Sequence, residues 1–275
     1  MSPVHVRNRW LWRLGPSREG SVRVICVPCA GHGASMYSTW PDHLPRDVEA
    51  WALQPPGREN RLHEPAFDDL ATLVRDALAD VESLLDGRPF AIVGHSMGAL
   101  IGFELTRELR RRGLQQPDCL YVSGHAAPHA GISGPIRHAL PDAMFVSAIH
   151  DLNPALTGNE DYRDAIRFML PTLRADFTLC ERYRYVDDEP LACNLTVWGG
   201  LEDPETTLTQ LVAWREQTTA TFSLRMFPGD HFFLATQRRT VLRALTDGLE
   251  PSLDRARRLR RFAEPDPPFC IPSVG

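Results

Sequence analysis

Five residues, Gly94-His-Ser-Met-Gly98, constrain this chain more than any other stretch. They fit Gly-x-Ser-x-Gly, a pattern that sets a serine on a sharp turn between a strand and a helix. Alone the string is a weak signal, because an ordinary glycine-rich turn with a capping serine reads the same way. Its flanks supply the context. Phe90-Ala-Ile-Val93 is a short apolar run of the kind buried in a parallel sheet. Ala99 to Arg112 reads as a helix with Leu100, Phe103, Leu105 and Leu109 among its apolar positions. Arg110 to Arg112 suit the negative end of that helix, and Gly113 can end it. Ser96 is therefore expected on the turn, with its hydroxyl exposed above the sheet edge. Gly94 and Gly98 remove side chains that so sharp a turn excludes. The following helix N-terminus favours negative charge beside the serine.

The remaining pattern repeats strand and helix almost throughout. Val4 to Leu14 reads as an edge strand. Further strands are expected over Ser21 to Val27, Val48 to Leu53, Cys119 to Ser123, Leu195 to Trp198 and Phe222 to Phe227. Helices are expected around Met36 to Trp40, over Phe67 to Leu85 and over Gln237 to Leu249. The second has apolar residues at 70, 73, 74, 77, 78, 81, 84 and 85, an amphipathic period. Alternation of this kind predicts an α/β fold: a mostly parallel central sheet with helices on both faces. Its ligand site should lie at the C-terminal ends of the strands.

Between Ala126 and Tyr185 the strand signals vanish. Short helical segments such as Pro141 to His150 and Tyr162 to Leu170 are broken by prolines and Gly158. This stretch, about 126–185, reads as a helical lid inserted over the sheet. Its apolar residues Phe145, Ile149, Leu152, Leu156, Phe168, Met169 and Phe177 are expected to shield a site from water. One domain is predicted over 1–251. Residues 252–275 form a basic segment, with Arg255, Arg257, Arg258, Arg260 and Arg261, and a proline-rich tail from Glu264 expected to be disordered. The basic run is read as a solvated face or, more sharply, as a docking point for an acidic partner.

Exclusions follow from composition. The formal net charge of −5 argues against nucleic acid as a bulk partner. All 30 basic residues are arginine, which removes Schiff-base and P-loop lysine chemistry. No apolar stretch is long enough for a membrane span, and no signal-peptide pattern stands at the start, so a cytoplasmic enzyme is expected. Six cysteines lie scattered, as reduced thiols would. Cys26-Val-Pro-Cys29 is formally C-x-x-C, but no second ligand pair follows at zinc spacing, so no metal and no other cofactor are expected.

A serine hydroxyl needs a base to become a nucleophile. Of the ten histidines, His231 directly follows the last strand, after the tight Pro228-Gly-Asp230 turn. A base of this kind needs a carboxylate to hold its tautomer. The Leu195 strand runs into Gly199-Gly-Leu-Glu-Asp203, which offers Asp203, with Glu202 as the alternative. The order Ser96, Asp203, His231 is that of the α/β-hydrolases. The developing oxyanion needs backbone N–H donors. Met97, at the helix start, and Ala30, in the Pro28 to Gly33 loop, are the candidates.

These residues also carry a resemblance. Cys26-Val-Pro-Cys-Ala-Gly31, Gln54-Pro-Pro-Gly-Arg-Glu-Asn-Arg61, Gly94-His-Ser-Met-Gly98, Leu170-Pro-Thr-Leu-Arg-Ala-Asp176, Gly200-Leu-Glu-Asp203 and Gly229-Asp-His-Phe-Phe-Leu234 span roughly residues 20 to 250. The chain resembles a type II thioesterase, the stand-alone α/β-hydrolase that accompanies non-ribosomal peptide and polyketide synthases. The resemblance implies hydrolysis of acyl or aminoacyl thioesters from the phosphopantetheine arm of a carrier protein, which edits misprimed or stalled assembly lines. The chain departs from that family's pattern at His32, where a second glycine is usual, at Cys29, and at Asp230. His32 beside Ala30 either narrows the pocket or adds a donor. Arg58 and Glu59 are read as a pair that fixes their own loop. Two alternatives stand beside the thioesterase: an esterase or acyltransferase on small free substrates, and a non-catalytic binding protein of an assembly line.

Overall fold

A computed structural model describes residues 9–15, 21–131, 135–152 and 159–263. Seven strands form one sheet in the order β1-β3-β2-β4-β5-β6-β7: β1 (Leu11–Arg13), β2 (Val22–Val27), β3 (Val48–Leu53), β4 (Phe90–His95), β5 (Cys119–Ser123), β6 (Asn194–Gly200) and β7 (Phe222–Phe227). All neighbouring pairs are parallel except β1 with β3. Of the edge strand expected over Val4 to Leu14, the described part is strand at Leu11–Arg13 alone, and residues 1–8 lie outside the described range. This is the mostly parallel α/β sheet that the alternating pattern implies.

The period of two explains how the sheet buries both faces. Along β2, Ile25 and Val27 join one apolar cluster, while Val22, Val24 and Cys26 join the other. The first cluster is closed by α1 (Leu70–Glu82) and α2 (Met97–Arg111). The α1 stripe of Leu70, Leu73, Val74, Ala77, Leu78 and Val81 is buried, and Asp69 caps the helix by accepting from the Thr72 N–H at 2.8 Å.

Three helices, α3 (Asp142–Asp151), α4 (Glu160–Phe168) and α5 (Leu170–Arg182), stand between β5 and β6. They have a small core of their own, with Phe145, Val146, Ile149, Ile166 and Leu173 buried together. Of the expected lid residues, Phe168 is instead exposed, and Leu156 lies outside the described residues. The short helices α6 (Leu208–Val212) and α7 (Phe233–Thr236) precede the last helix, α8 (Arg238–Ala263).

Two sequence expectations need correction. The helix expected at Met36 to Trp40 is a pair of 3₁₀ turns, Ala34–Tyr37 and Trp40–Asp42. The closing helix does not stop at Leu249, because its apolar stripe continues as Leu253 and Ala256, both buried against the second cluster. The basic segment from 252 therefore begins as helix. Arg255 pairs with Asp118, and Arg257 with Asp254, so these two arginines serve contacts within the chain. The proline-rich tail from Glu264 lies outside the described residues.

Candidate active site

The β4 strand ends at His95, and α2 begins at Met97, so Ser96 alone makes the turn. Its backbone is forced to φ 53° and ψ −120°. The close approach that imposes this is visible at the two glycines. A β-carbon on Gly94 would stand 2.0 Å from the Gly98 carbonyl oxygen, and one on Gly98 would stand 2.1 Å from that of Val27. The Ser96 N–H donates to the Ser123 carbonyl at 2.7 Å, which joins the turn to the end of β5. Met97, as the first residue of α2, has an N–H with no partner inside the helix.

His231 arrives from the other end of the chain. Its turn is fixed beneath by Phe233, whose ring stacks on Phe227 at 5.4 Å. The ring is almost fully buried, and its Nδ1 faces both carboxylate oxygens of Asp203, at 3.0 and 3.2 Å. Asp203 also accepts from the Glu205 N–H at 2.9 Å and the Thr206 hydroxyl at 3.1 Å. Glu202 turns away: it accepts from the Gly229 N–H and holds the loop before the histidine. Burial pulls the His231 pKa down, but the hydrogen bond and negative charge of Asp203 outweigh it, and the net shift is upward. His95 lies 5.0 Å from His231, ring to ring. Burial holds His95 well below the ordinary histidine value, so it stays neutral there.

Two cavities meet at this point. One, of about 210 Å³, has Ser96, His231, Ala30 and His32 on its floor and Ile149, Leu152, Ile166, Met169 and Phe177 of the insertion above. The other, of about 140 Å³, shares Ser96, His231, Ala30, Leu152 and Phe177 and extends toward Pro128 and Arg137. Ser96, Asp203, His231, Ala30 and Met97 are thus brought to one place at the C-terminal ends of β2, β4, β6 and β7.

The loop after β2 is more tightly held than its glycines suggest. The Cys29 carbonyl accepts from the His32 N–H at 3.1 Å, and the Ala30 carbonyl from His32 Nδ1 at 3.1 Å. That contact puts the proton on Nδ1, since a carbonyl cannot donate. Cys29 Sγ lies 3.3 Å from the same nitrogen. Burial raises the Cys29 pKa, but the charge and hydrogen bond of His32 win, and the thiol is lowered. The Cys29 charge in turn raises His32 to about 9. His32 therefore serves its own loop while rimming the larger cavity. Among the described residues no three histidine, cysteine, aspartate or glutamate side chains gather as a metal site.

The expected Arg58–Glu59 pair does not form. Arg58 makes a two-pronged bond to Asp176 of α5, at 2.7 and 2.8 Å, with both groups buried. Glu59 instead holds Ser35, with a 2.5 Å bond from its hydroxyl. Sequence reasoning missed Asp176 as a site residue. Its only signal was membership of the Leu-Arg-Ala-Asp stretch that carries the resemblance.

The decisive likeness covers most of the chain: residues 22–249 match the family model described as "Thioesterase domain". The chain belongs to the thioesterase family. It is 40% identical over 259 residues to "Linear gramicidin dehydrogenase LgrE" of Brevibacillus parabrevis, covering 92% of this chain and 97% of that protein. It is also 40% identical over 227 residues to "Gramicidin S biosynthesis protein GrsT" of Aneurinibacillus migulanus, covering 82% and 88%. The word dehydrogenase describes the first relative; the family match here is to a thioesterase. Among solved structures the chain is similar to the type II thioesterase BorB of the borrelidin biosynthetic cluster, with TM-score 0.80, 30% identity, and coverage of 88% of this chain and 98% of that one. This thioesterase is a hydrolase of thioester bonds, with an α/β-hydrolase fold. No helix among its described residues is long and apolar enough to cross a membrane.

Proposed function

We propose that this thioesterase works through Ser96, His231 and Asp203, and that it clears acyl or aminoacyl groups from the phosphopantetheine arm of carrier proteins in a peptide or polyketide assembly line. The observation that carries the reading is the His231 ring, bound at Nδ1 by Asp203 and facing a cavity that also contains Ser96. Nδ1 is occupied, so Nε2 is the nitrogen that exchanges a proton. Ser96 Oγ attacks the thioester carbonyl carbon while His231 takes its proton. The new C–O bond gives a tetrahedral oxyanion, received by the N–H groups of Ala30 and Met97. The C–S bond then breaks, and the thiol departs with the proton from His231. Water, activated by the same histidine, hydrolyses the acyl-serine. The names of the biosynthetic relatives support the carrier-bound substrate, and an intracellular assembly line fits the cytoplasmic expectation.

Shape supports the same substrate. A slender arm can enter beneath the insertion while its carrier stays outside, and carrier contacts kept through the transition state raise kcat/KM. The test compares one short acyl group on a carrier protein, on coenzyme A and on a pantetheine mimic. The carrier-bound group should be hydrolysed with the highest kcat/KM. Equal values, or a preference for the mimic, would favour the esterase on free substrates.

A further inference from the structure

We infer that Asp176, on helix α5 of the insertion, is a positioning residue for thioester hydrolysis: it ties the insertion to the loop that carries the Ala30 N–H. The inference rests on the reading of Ala30 as an oxyanion donor. Asp176 Oδ2 accepts from the Gly31 N–H at 2.8 Å and from Arg58 Nη1 at 2.7 Å, while Oδ1 accepts from Arg58 Nη2 at 2.8 Å. Asp176 and Arg58 are each 1% exposed, so the pair is a fixed strut rather than a surface contact. Arg58 spans further, with Nη1 3.4 Å from the His32 carbonyl.

The consequence for Ala30 follows from peptide planarity. The peptide after Ala30 has its N–H taken by Asp176 and its C=O taken by the His32 ring. The peptide before Ala30 contains both the Cys29 carbonyl, bound by the His32 N–H, and the Ala30 N–H itself. Both planes that flank the Ala30 Cα are therefore fixed, and the direction of its N–H with them. Gly31 cannot be replaced by a stiffer residue to the same end, because its φ is +75° and a β-carbon would stand 2.7 Å from Leu173 of α5. The loop thus takes its shape from a helix 145 residues away in sequence. A movement of α5 would loosen an oxyanion donor as well as uncover the cavity.

The test measures Asp176→Ala and Asp176→Asn, the second keeping an acceptor for the Gly31 N–H. Removing a preorganised donor costs on the order of 10²–10³ in kcat, so a misdirected one should cost roughly 10–100-fold. For Asp176→Ala, kcat on an acyl-pantetheine thioester should fall by about that factor, with KM within about 3-fold. A trifluoromethyl ketone analogue, which forms an oxyanion on Ser96, should weaken by the same factor, while a non-reactive thioether analogue should bind as before. Asp176→Asn should recover part of both losses. In the unaltered protein the Gly31 amide should exchange with deuterium far more slowly than a free loop amide. The proposal is overturned if a folded Asp176→Ala keeps its kcat and ketone affinity, if both analogues weaken alike, or if the Gly31 amide exchanges freely. The exchange measurement decides even where the alanine variant does not fold. Failure of the underlying site reading looks different: the ketone would then not inhibit the unaltered enzyme at all.

Discussion

Ser96 sits at φ 53°, where a β-carbon is unwelcome, and such a conformation costs about 1–3 kcal/mol that the surrounding turn must hold. Ser96→Ala keeps the turn and removes only an oxygen, so the melting temperature should barely move while turnover falls on the order of 10⁴-fold or more; thioester hydrolysis near the unaltered rate would end its role as nucleophile. Asp203→Asn carries a sharper signature. His231 acts as a base only when neutral, and Asp203 raises its pKa, so activity should rise with pH through a value above the ordinary 6.5. Asp203→Asn removes the negative charge that favours the imidazolium. Its activity limb should move to lower pH, while the plateau falls roughly 10²–10⁴-fold. Glu202→Gln, which can still accept from Gly229, should leave both nearly unchanged, as a full pH–rate profile would report. Cys29 offers a third residue-scale expectation. Burial lifts Cys119 to about 11 and Cys193 to about 12, whereas His32 lowers Cys29. Limited alkylation at neutral pH, read by peptide mass spectrometry, should label Cys29 before these two, and His32→Gly should erase that advantage. Equal labelling would mean that the imidazole does not activate the thiol.

At the scale of elements, what was legible followed from period. The strands from β2 to β7, the helices α1 and α2 and the inserted helices α3 and α4 announce themselves through apolar spacing, whereas α5, which opens on Leu170-Pro171, is not picked out. Strand ends also point to Ser96, Asp203 and His231 as candidates, because the three stand just after β4, β6 and β7. The 3₁₀ turns at Ala34–Tyr37 and Trp40–Asp42 were read as one helix because an apolar cluster of a few residues does not distinguish the two. The reach of α8 was hidden by Pro251, which looks like a stop although Leu253 and Ala256 continue the stripe. Arg58 was misassigned because adjacent opposite charges suggest a pair, whereas its carboxylate lies 118 positions away. No local pattern encodes such a distance. The length of α8 also gives a prediction. Ending the chain after Glu250 removes buried Leu253 and the Ser252 and Arg255 bonds to Asp118. Burying one leucine is worth about 1.5–3 kcal/mol, so the melting temperature should drop by roughly 3–12 °C. An unchanged melting curve would mean that the last turns of α8 do not stabilise the domain.

For the molecule as a whole, the sheet and the insertion look separable. The insertion has an apolar core of its own and enters the chain between β5 and β6, although Leu179 of α5 reaches the first sheet cluster. On that footing, selectivity for acyl groups would be a matter of exchanging one module for another above an unchanged floor. The Arg58–Asp176 strut argues against that freedom. An imported cover brings its own α5, and without an acid at this place it would leave Arg58 a buried, unmatched cation and the Gly31 amide unheld. The graft would fit the new acyl group and still turn over slowly. Cover and floor in this enzyme are parts to be exchanged together, with Asp176 as the fitting between them.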